Sequence, residues 1–181
     1  MDKRKAANLR VKSNITNTLF TLMQKKSLSE ITVTELVDGA GVARASFYRN
    51  YCSKEDVLVT LMRDVLDDFR RNIPAGQESF YTYENILLSF RYFYTCRSYI
   101  LDLYRSGFIS VFLEELNRFH ESIEGTMPSS SIEKYQLYMY TGALFNTAME
   151  WLLTGATASP EEIAGFFFPS IIKMLGRAPT A

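Results

Sequence analysis

Residues 31–55 decide the fold, and they read ITVTELVDGAGVARASFYRNYCSKE. Thr32 and Glu35 have the spacing of a capping box, in which each side chain binds a free backbone N–H at the start of a helix. The short helix that starts there is expected to end at Gly39, and the turn after it contains Gly41. A second short helix is expected over residues 43–51. Two short helices joined by a glycine-containing turn predict a helix-turn-helix.

Longer helices are expected on both sides of this stretch. Upstream, over roughly residues 7–25, apolar residues recur at the three- and four-residue spacing of an amphipathic helix; they are Ile15, Leu19, Leu22 and Met23. Downstream, Ser53 can cap a helix that carries Glu55 and Asp56 in its first turn, where the helix dipole favours negative charge. That helix should run to about Asn72.

The remainder of the chain predicts further helices. Aromatic residues recur from Tyr81 to Phe119 without the strict two-residue alternation of a half-buried strand. Helices are expected near residues 78–95, 97–106, 108–124, 131–154 and 160–175. The sequence therefore predicts an all-α fold, with a helix-turn-helix domain over residues 1–54, a connecting helix over 55–72 and a helical C-terminal domain over 73–181.

Charge divides the chain into two unlike parts. The formal net charge is zero, yet residues 1–54 hold ten Lys or Arg against four Asp or Glu, a net of +6. Residues 55–181 hold ten against sixteen, a net of −6. A basic N-terminal domain suits the phosphate field of DNA, and an acidic remainder is repelled by it.

Other classes of protein find no support in the sequence. Cys52 and Cys96 form no C-x-x-C pair, and His120 is the only histidine, so neither a disulfide framework nor a metal site is indicated. No cofactor is expected. The sequence has no Gly-rich phosphate loop and no G-x-S-x-G motif, so we expect no enzyme. Without a signal peptide or an apolar run of membrane-spanning length, a cytoplasmic location is expected.

The second short helix carries the candidate DNA contacts. Leu36, Ala40, Val42 and Phe47 should form the small core that fixes the angle between the two helices. The side chains left to face a major groove are Arg44, Ser46, Tyr48 and Arg49. Arginine can donate a bidentate pair to a guanine edge. Thr32, Thr34 and Lys54 lie at helix starts, where side chains and free N–H groups suit phosphate oxygens.

Residues 14–62, and above all 31–55, resemble the DNA-binding domain of TetR-family regulators. The resemblance implies a homodimer on a near-palindromic double-stranded DNA operator, with the region 73–181 serving dimerisation and effector binding. It also implies a phosphate contact for Thr34, base-facing positions for Arg44 and Ala45, and groove or phosphate contacts for Tyr48, Arg49 and Lys54.

Two positions depart from the family pattern. Ala43 stands where Ser or Thr usually caps the recognition helix, and Asn50 stands where an aromatic residue or His is common. These departures affect the expected base preference rather than the fold. One interpretation they leave open is a binding module that has lost specific DNA recognition.

The C-terminal half, over residues 142–163, resembles a TetR-family subgroup that includes regulators of dihydroxyacetone kinase genes. Helices of this kind would pack against their two-fold mates as a four-helix bundle. The expected dimerisation residues are Phe145, Leu152, Phe166, Phe167 and Ile171. The hydroxyl groups of several tyrosines predict an effector pocket, whose candidate residues are Tyr92, Tyr94, Tyr104, Phe112, Tyr138, Asn146, Met149 and Trp151.

Two kinds of control are compatible with this sequence. In the first, the protein is a repressor, and a small-molecule effector binds in its C-terminal domain. The effector changes the separation of the two DNA-binding domains of the dimer. In the second, a partner protein docks on the C-terminal domain and controls the DNA-bound dimer.

Overall fold

The computed structural model describes residues 3–73, 79–125 and 127–176. These residues form α-helices, one short 3₁₀ helix over Leu28–Glu30 and no strand, which confirms the all-α prediction. The helices are α1 Lys3–Met23, α2 Val33–Ala40, α3 Arg44–Asn50, α4 Lys54–Asn72, α5 Tyr83–Thr95, α6 Arg97–Arg105, α7 Ile109–Glu124, α8 Ile132–Leu153 and α9 Pro160–Met174.

The helix starts follow from capping side chains. Thr32 and Ser159 each close a capping box, with Glu35 and Glu162 respectively. Ser53 accepts a hydrogen bond from the backbone N–H of Asp56, at the start of α4. These short polar side chains supply partners for N–H groups that the first helical turn leaves unpaired.

Two predicted boundaries need correction. α1 begins at Lys3 rather than near residue 7. The helix expected from residue 78 begins instead at Tyr83, because Thr82 caps it by accepting from the backbone N–H of Asn85. Phe80 and Tyr81 precede it as buried turn residues, while residue 78 itself lies outside the described residues.

The helix α4 joins the two parts of the molecule. It packs against α1 on one side and against α5 and α7 on the other. Val57 and Leu58, in its first turns, are fully buried, and Leu66 and Phe69 are buried farther along. One hydrophobic cluster therefore runs from Ile15 in α1 to Leu175 beyond α9. Any movement of α4 acts on both parts.

Candidate nucleic-acid interface

The helices α2 and α3 form the predicted helix-turn-helix. Gly41 ends α2 in the left-handed conformation, with φ of 62°, which a residue without a side chain adopts at little cost. The N–H of Val42 then donates to the carbonyl of Val37 at 3.0 Å, so the turn satisfies a carbonyl of the last helical turn. This hydrogen-bonded turn fixes the direction of α3 relative to α2.

One face of α3 is buried and the other is exposed. Phe47 is completely buried and packs against Tyr51, with ring centroids 5.7 Å apart. Tyr48, the next residue, is 50% exposed. The predicted orientation of these two neighbours is thereby confirmed, and α3 presents its other face to solvent.

Arg44 is the centre of a small polar cluster on this exposed face. Its guanidinium donates to the Thr34 hydroxyl at 3.3 Å and to the Tyr48 hydroxyl at 3.4 Å. It also lies 5.7 Å from the centroid of the Tyr48 ring. Both hydrogen bonds are long and exposed, so Arg44 can exchange them for a base edge at little cost. The structure therefore brings together three of the predicted DNA-binding residues.

The other predicted residues of the two helices differ in exposure. Ala45 and Arg49 are exposed on α3 beside Arg44, whereas Ser46 is half-buried. Thr32 is exposed, but its hydroxyl is used in the capping box, where it accepts from the Glu35 N–H at 3.2 Å. Ala43 stands at the N-cap of α3 without a side-chain hydrogen bond, as its methyl group dictates.

Lys54 has a different environment from that expected of a phosphate ligand. Its ammonium donates to the carbonyl oxygens of Ile31, at 2.6 Å, and Ser29, at 3.1 Å. Only 15% of its side chain is exposed. Lys54 thus ties the start of α4 to the segment that leads into α2, a structural role that its position in the sequence did not reveal.

An apolar cavity of about 40 Å³ lies among α4, α5, α6, α7 and α8. Its apolar walls are Leu61, Met62, Val65, Leu66, Phe69, Phe93, Ile100, Phe112, Leu116, Phe119 and Leu144, and its polar lining consists of Ser89, Tyr92, Cys96, Tyr99 and His120. No charged side chain of the described residues lines it. Burial raises the pKa of Tyr92 to about 12, with Asp68 adding to the shift, so its hydroxyl stays protonated.

The cavity includes two of the eight residues predicted to bind an effector. Tyr92 and Phe112 line it, and the other six predicted residues do not. Tyr104 is 47% exposed, and the Tyr138 hydroxyl donates to Glu121 at the surface. Their hydroxyls need no buried partner because water or a surface carboxylate supplies one.

The remaining members of that set also have other contacts. Asn146 is exposed and donates to the carbonyl of Gly142 within α8. Trp151 is buried and donates to the carbonyl of Ala158, and Tyr94 packs on its ring at 5.8 Å. Met149 is buried in the core without reaching the cavity.

The predicted dimerisation residues differ in exposure. Phe145, Leu152, Phe167 and Ile171 are between 2% and 8% exposed, because they face the subunit's own core. Only Phe166 of that set is available to a partner, at 65% exposed. Helical periodicity identifies such residues as apolar, but it does not say which neighbouring element covers them.

Two cavity residues escaped the sequence reasoning. His120, which as the only histidine indicated no metal site, is 2% exposed and lines the cavity. Tyr99 lines the same cavity, and its ring packs on Phe20 of α1 at 4.6 Å. Its hydroxyl reaches Asn17 at 3.4 Å. The only sequence signal for Tyr99 was its place in the aromatic-rich region.

The described residues hold no group of three or more His, Cys, Asp or Glu side chains arranged for a metal ion. Among the same residues, no helix is both long and apolar enough to cross a membrane.

Comparisons with known proteins agree with this architecture. A sequence model of the bacterial regulatory proteins of the tetR family matches residues 15–61. The fold is similar to that of a TetR transcriptional regulator from Streptococcus agalactiae 2603V, with a TM-score of 0.61 and 21% identity over 93% of this chain and 97% of that one. A comparison with curated proteins gives no match.

Two further solved structures share the fold. The dihydroxyacetone kinase operon activator DhaS has a TM-score of 0.57 and 18% identity, over 92% of this chain and 96% of that one. The regulator FadR from Bacillus subtilis, solved with stearoyl-CoA, has a TM-score of 0.51 and 16% identity, over 90% and 96% of the two chains. The likeness to DhaS agrees with the resemblance seen in the C-terminal sequence.

The family match covers α2, its turn and α3, where the exposed Arg44 cluster lies, and the helices beyond it follow the same fold as solved regulators. Residues 15–61 thus form a DNA-binding domain of the tetR family of bacterial regulatory proteins, within a chain that shares the fold of solved TetR regulators.

Proposed function

We propose that the protein is a cytoplasmic homodimer that binds a near-palindromic operator through two helix-turn-helix domains, acts as a repressor, and is released by a small molecule bound in the cavity. The observation that carries the DNA-binding part is the exposed Arg44 cluster on α3, within an N-terminal region of net charge +6. In this proposal, Arg44 and Ala45 face the bases. Thr34, Tyr48 and Arg49 contact the sugar-phosphate backbone of the DNA. Thr32 stabilises the start of α2, and Lys54 stabilises the start of α4.

An exposed apolar stripe supports the homodimer. On α8 it comprises Ile132, Tyr135, Met139 and Leu153, which are 40% to 66% exposed. Their spacing of three, four and fourteen residues places them on one helix face. Phe166 and Met174 are exposed on α9 to 65% and 50%. A two-fold axis beside α8 and α9 would cover these side chains with their own copies.

Contacts between the cavity and the DNA-binding domain support control by a small molecule. Leu61 and Phe69 of α4 form part of the cavity wall, and α4 also packs against α1. Tyr99 touches the cavity with one part of its side chain and α1 with another. A ligand that moves these residues would change the separation of the two domains, which must match half-sites about 34–36 Å apart.

Binding to DNA fragments from upstream of its own and neighbouring genes, measured by fluorescence anisotropy with competitor DNA, tests the proposal. Arg44→Ala should cost about 1–3 kcal/mol of specific binding and relax the base preference at one position per half-site. Lys25→Ala, which changes an exposed lysine in the turn after α1, is the matched charge control. Weak, sequence-independent binding by the unchanged protein would overturn the proposal and favour a module that has lost recognition.

Control by a partner protein is the second candidate, since the stripe on α8 and α9 could equally accept a different chain. Co-purification separates the two, because both candidates are dimers and only the second needs another protein. A partner retained with the dimer at fixed stoichiometry would favour the second candidate, and a dimer that purifies alone would favour control by a small molecule.

A further inference from the structure

The tautomer of His120 is determined by its neighbour Thr141. His120 Nδ1 lies 2.7 Å from the Thr141 hydroxyl oxygen, and that hydroxyl donates to the carbonyl of Leu137 at 2.9 Å. A threonine hydroxyl has one proton, so both bonds form together only if Nδ1–H is the donor to Thr141. Burial lowers the pKa of His120 to about 3, so the ring is neutral at pH 7. Nε2 therefore carries a lone pair.

Nε2 is a buried hydrogen-bond acceptor at the cavity. His120 is 2% exposed and lines the cavity, whereas Thr141, on the Nδ1 side of the ring, does not. Since Thr141 occupies Nδ1, Nε2 is the ring nitrogen left for a guest. Within residues 3–73, 79–125 and 127–176, no hydrogen bond reaches this nitrogen. A buried acceptor without a partner costs free energy that a donor from a ligand would recover.

The hydroxyl groups that line the cavity have already used their protons. Ser89 donates to the carbonyl of Asn85 at 2.8 Å, and Tyr92 donates to Asp68 at 2.7 Å. Tyr99 directs its hydroxyl to Asn17, outside the cavity. Cys96 contributes only a thiol, which is a weak donor. The lining thus offers acceptors to a ligand and no strong donor.

From this balance we infer that the cavity binds a small uncharged molecule whose single polar group is a hydrogen-bond donor to His120 Nε2, of the class of short-chain alcohols. This inference rests on the proposed control by a small molecule and names its ligand class. An anion would meet neither a cation nor a free donor there, and an ether or ketone would bring a second acceptor. A volume of about 40 Å³ has room for roughly three water-sized groups, and Met62 in the wall can repack for a slightly longer chain.

The test uses NMR of the full-length protein labelled with ¹⁵N-histidine, because His120 is its only histidine. The probes are 1-butanol, its isomer methyl propyl ether, which cannot donate, and butyrate, which is charged. We expect a protonated Nδ1 and a bare Nε2 at rest, and a saturable movement of the Nε2 resonance toward an accepted hydrogen bond with 1-butanol. The ether and butyrate should bind at least about fivefold more weakly, which is the effect of one hydrogen bond.

Two variants separate positioning from simple loss of structure. Thr141→Val keeps the shape of the side chain and removes the hydroxyl that fixes the tautomer. The spectrum should then show both tautomers, and the affinity for 1-butanol should fall roughly fivefold. Ser122→Ala removes a hydroxyl that donates to the Phe119 carbonyl on the same helix and should change neither.

The outcomes are distinct from those of the DNA-binding test. A resting spectrum with Nε2 protonated, an unmoved Nε2 resonance, or equal binding of the ether overturns the ligand class, even if the protein binds its operator. If 1-butanol moves the resonance but leaves operator affinity unchanged, the ligand class stands and control by that ligand fails.

Discussion

At the scale of single residues, Lys54 has a structural role that can be measured. Its ammonium already satisfies the Ile31 and Ser29 carbonyls, so Lys54→Met should destabilise the protein by about 1–3 kcal/mol in urea unfolding. Lys25→Met, at an exposed position, should leave stability within about 0.5 kcal/mol. Unchanged stability of Lys54→Met, with a salt dependence of DNA binding reduced by about one counterion, would identify a phosphate ligand instead.

His120 should also give the protein an unusual sensitivity to acid. The unfolded chain protonates histidine near pH 6.5, whereas burial holds the pKa of the folded residue at about 3. The unfolded state therefore binds more protons below pH 6.5, and stability falls as the pH is lowered toward 3. We expect a loss of about 2 kcal/mol between pH 7 and pH 5 in urea unfolding. In His120→Gln, the free energy of unfolding should be nearly flat over that range; a flat wild-type profile would contradict the burial of a neutral ring.

At the scale of helices, Glu115 of α7 links that helix to α4. Its carboxylate, 4% exposed, accepts two hydrogen bonds from Arg63 at 2.9 and 3.1 Å and a further one from Arg118. Removing the charge leaves the Arg63 guanidinium, itself 56% exposed, free to return to water, which limits the loss.

We therefore expect Glu115→Gln to cost about 1–2 kcal/mol in the free energy of unfolding. Glu114→Gln is the control, because that neighbouring carboxylate is 62% exposed and only 3.7 Å from Arg118; it should cost less than about 0.5 kcal/mol. Equal losses in the two variants would mean that the Arg63 pair does not hold the helices together.

The sequence predicts the helices but not many of the contacts between them. Ser53 and the residues after it predicted α4 to end near Asn72, as it does, since caps and periodicity act within a few residues. Tyr104 and Phe167 show the limit: each lies on an amphipathic helix, but one faces solvent and the other the core. That choice depends on packing between distant segments, which no local pattern records. The Arg44 cluster was predictable because α2 and α3 are neighbours in sequence.

The apolar stripe should control assembly at the scale of the whole molecule. Phe166→Asp places a charge on the exposed face of α9 and should shift the protein from dimer to monomer in analytical ultracentrifugation, with a loss of operator binding. Tyr104→Asp, at a 47% exposed position on α6, is the control and should stay dimeric. A Phe166→Asp protein that remains a dimer would place the interface elsewhere.

The double role of α4 has a consequence for engineering. A chimaera joined at residue 54 would separate the helix-turn-helix domain from Val57 and Leu58, which are fully buried. The apolar surfaces that these residues cover would then lose their native packing partners. The same helix supplies Leu61, Met62 and Phe69 to the cavity of the C-terminal part. The DNA-binding and C-terminal domains of different regulators can therefore be exchanged only if both faces of α4 are redesigned. Evolution of a new specificity must respect the same constraint, changing the outer face of α3 while leaving α4 intact.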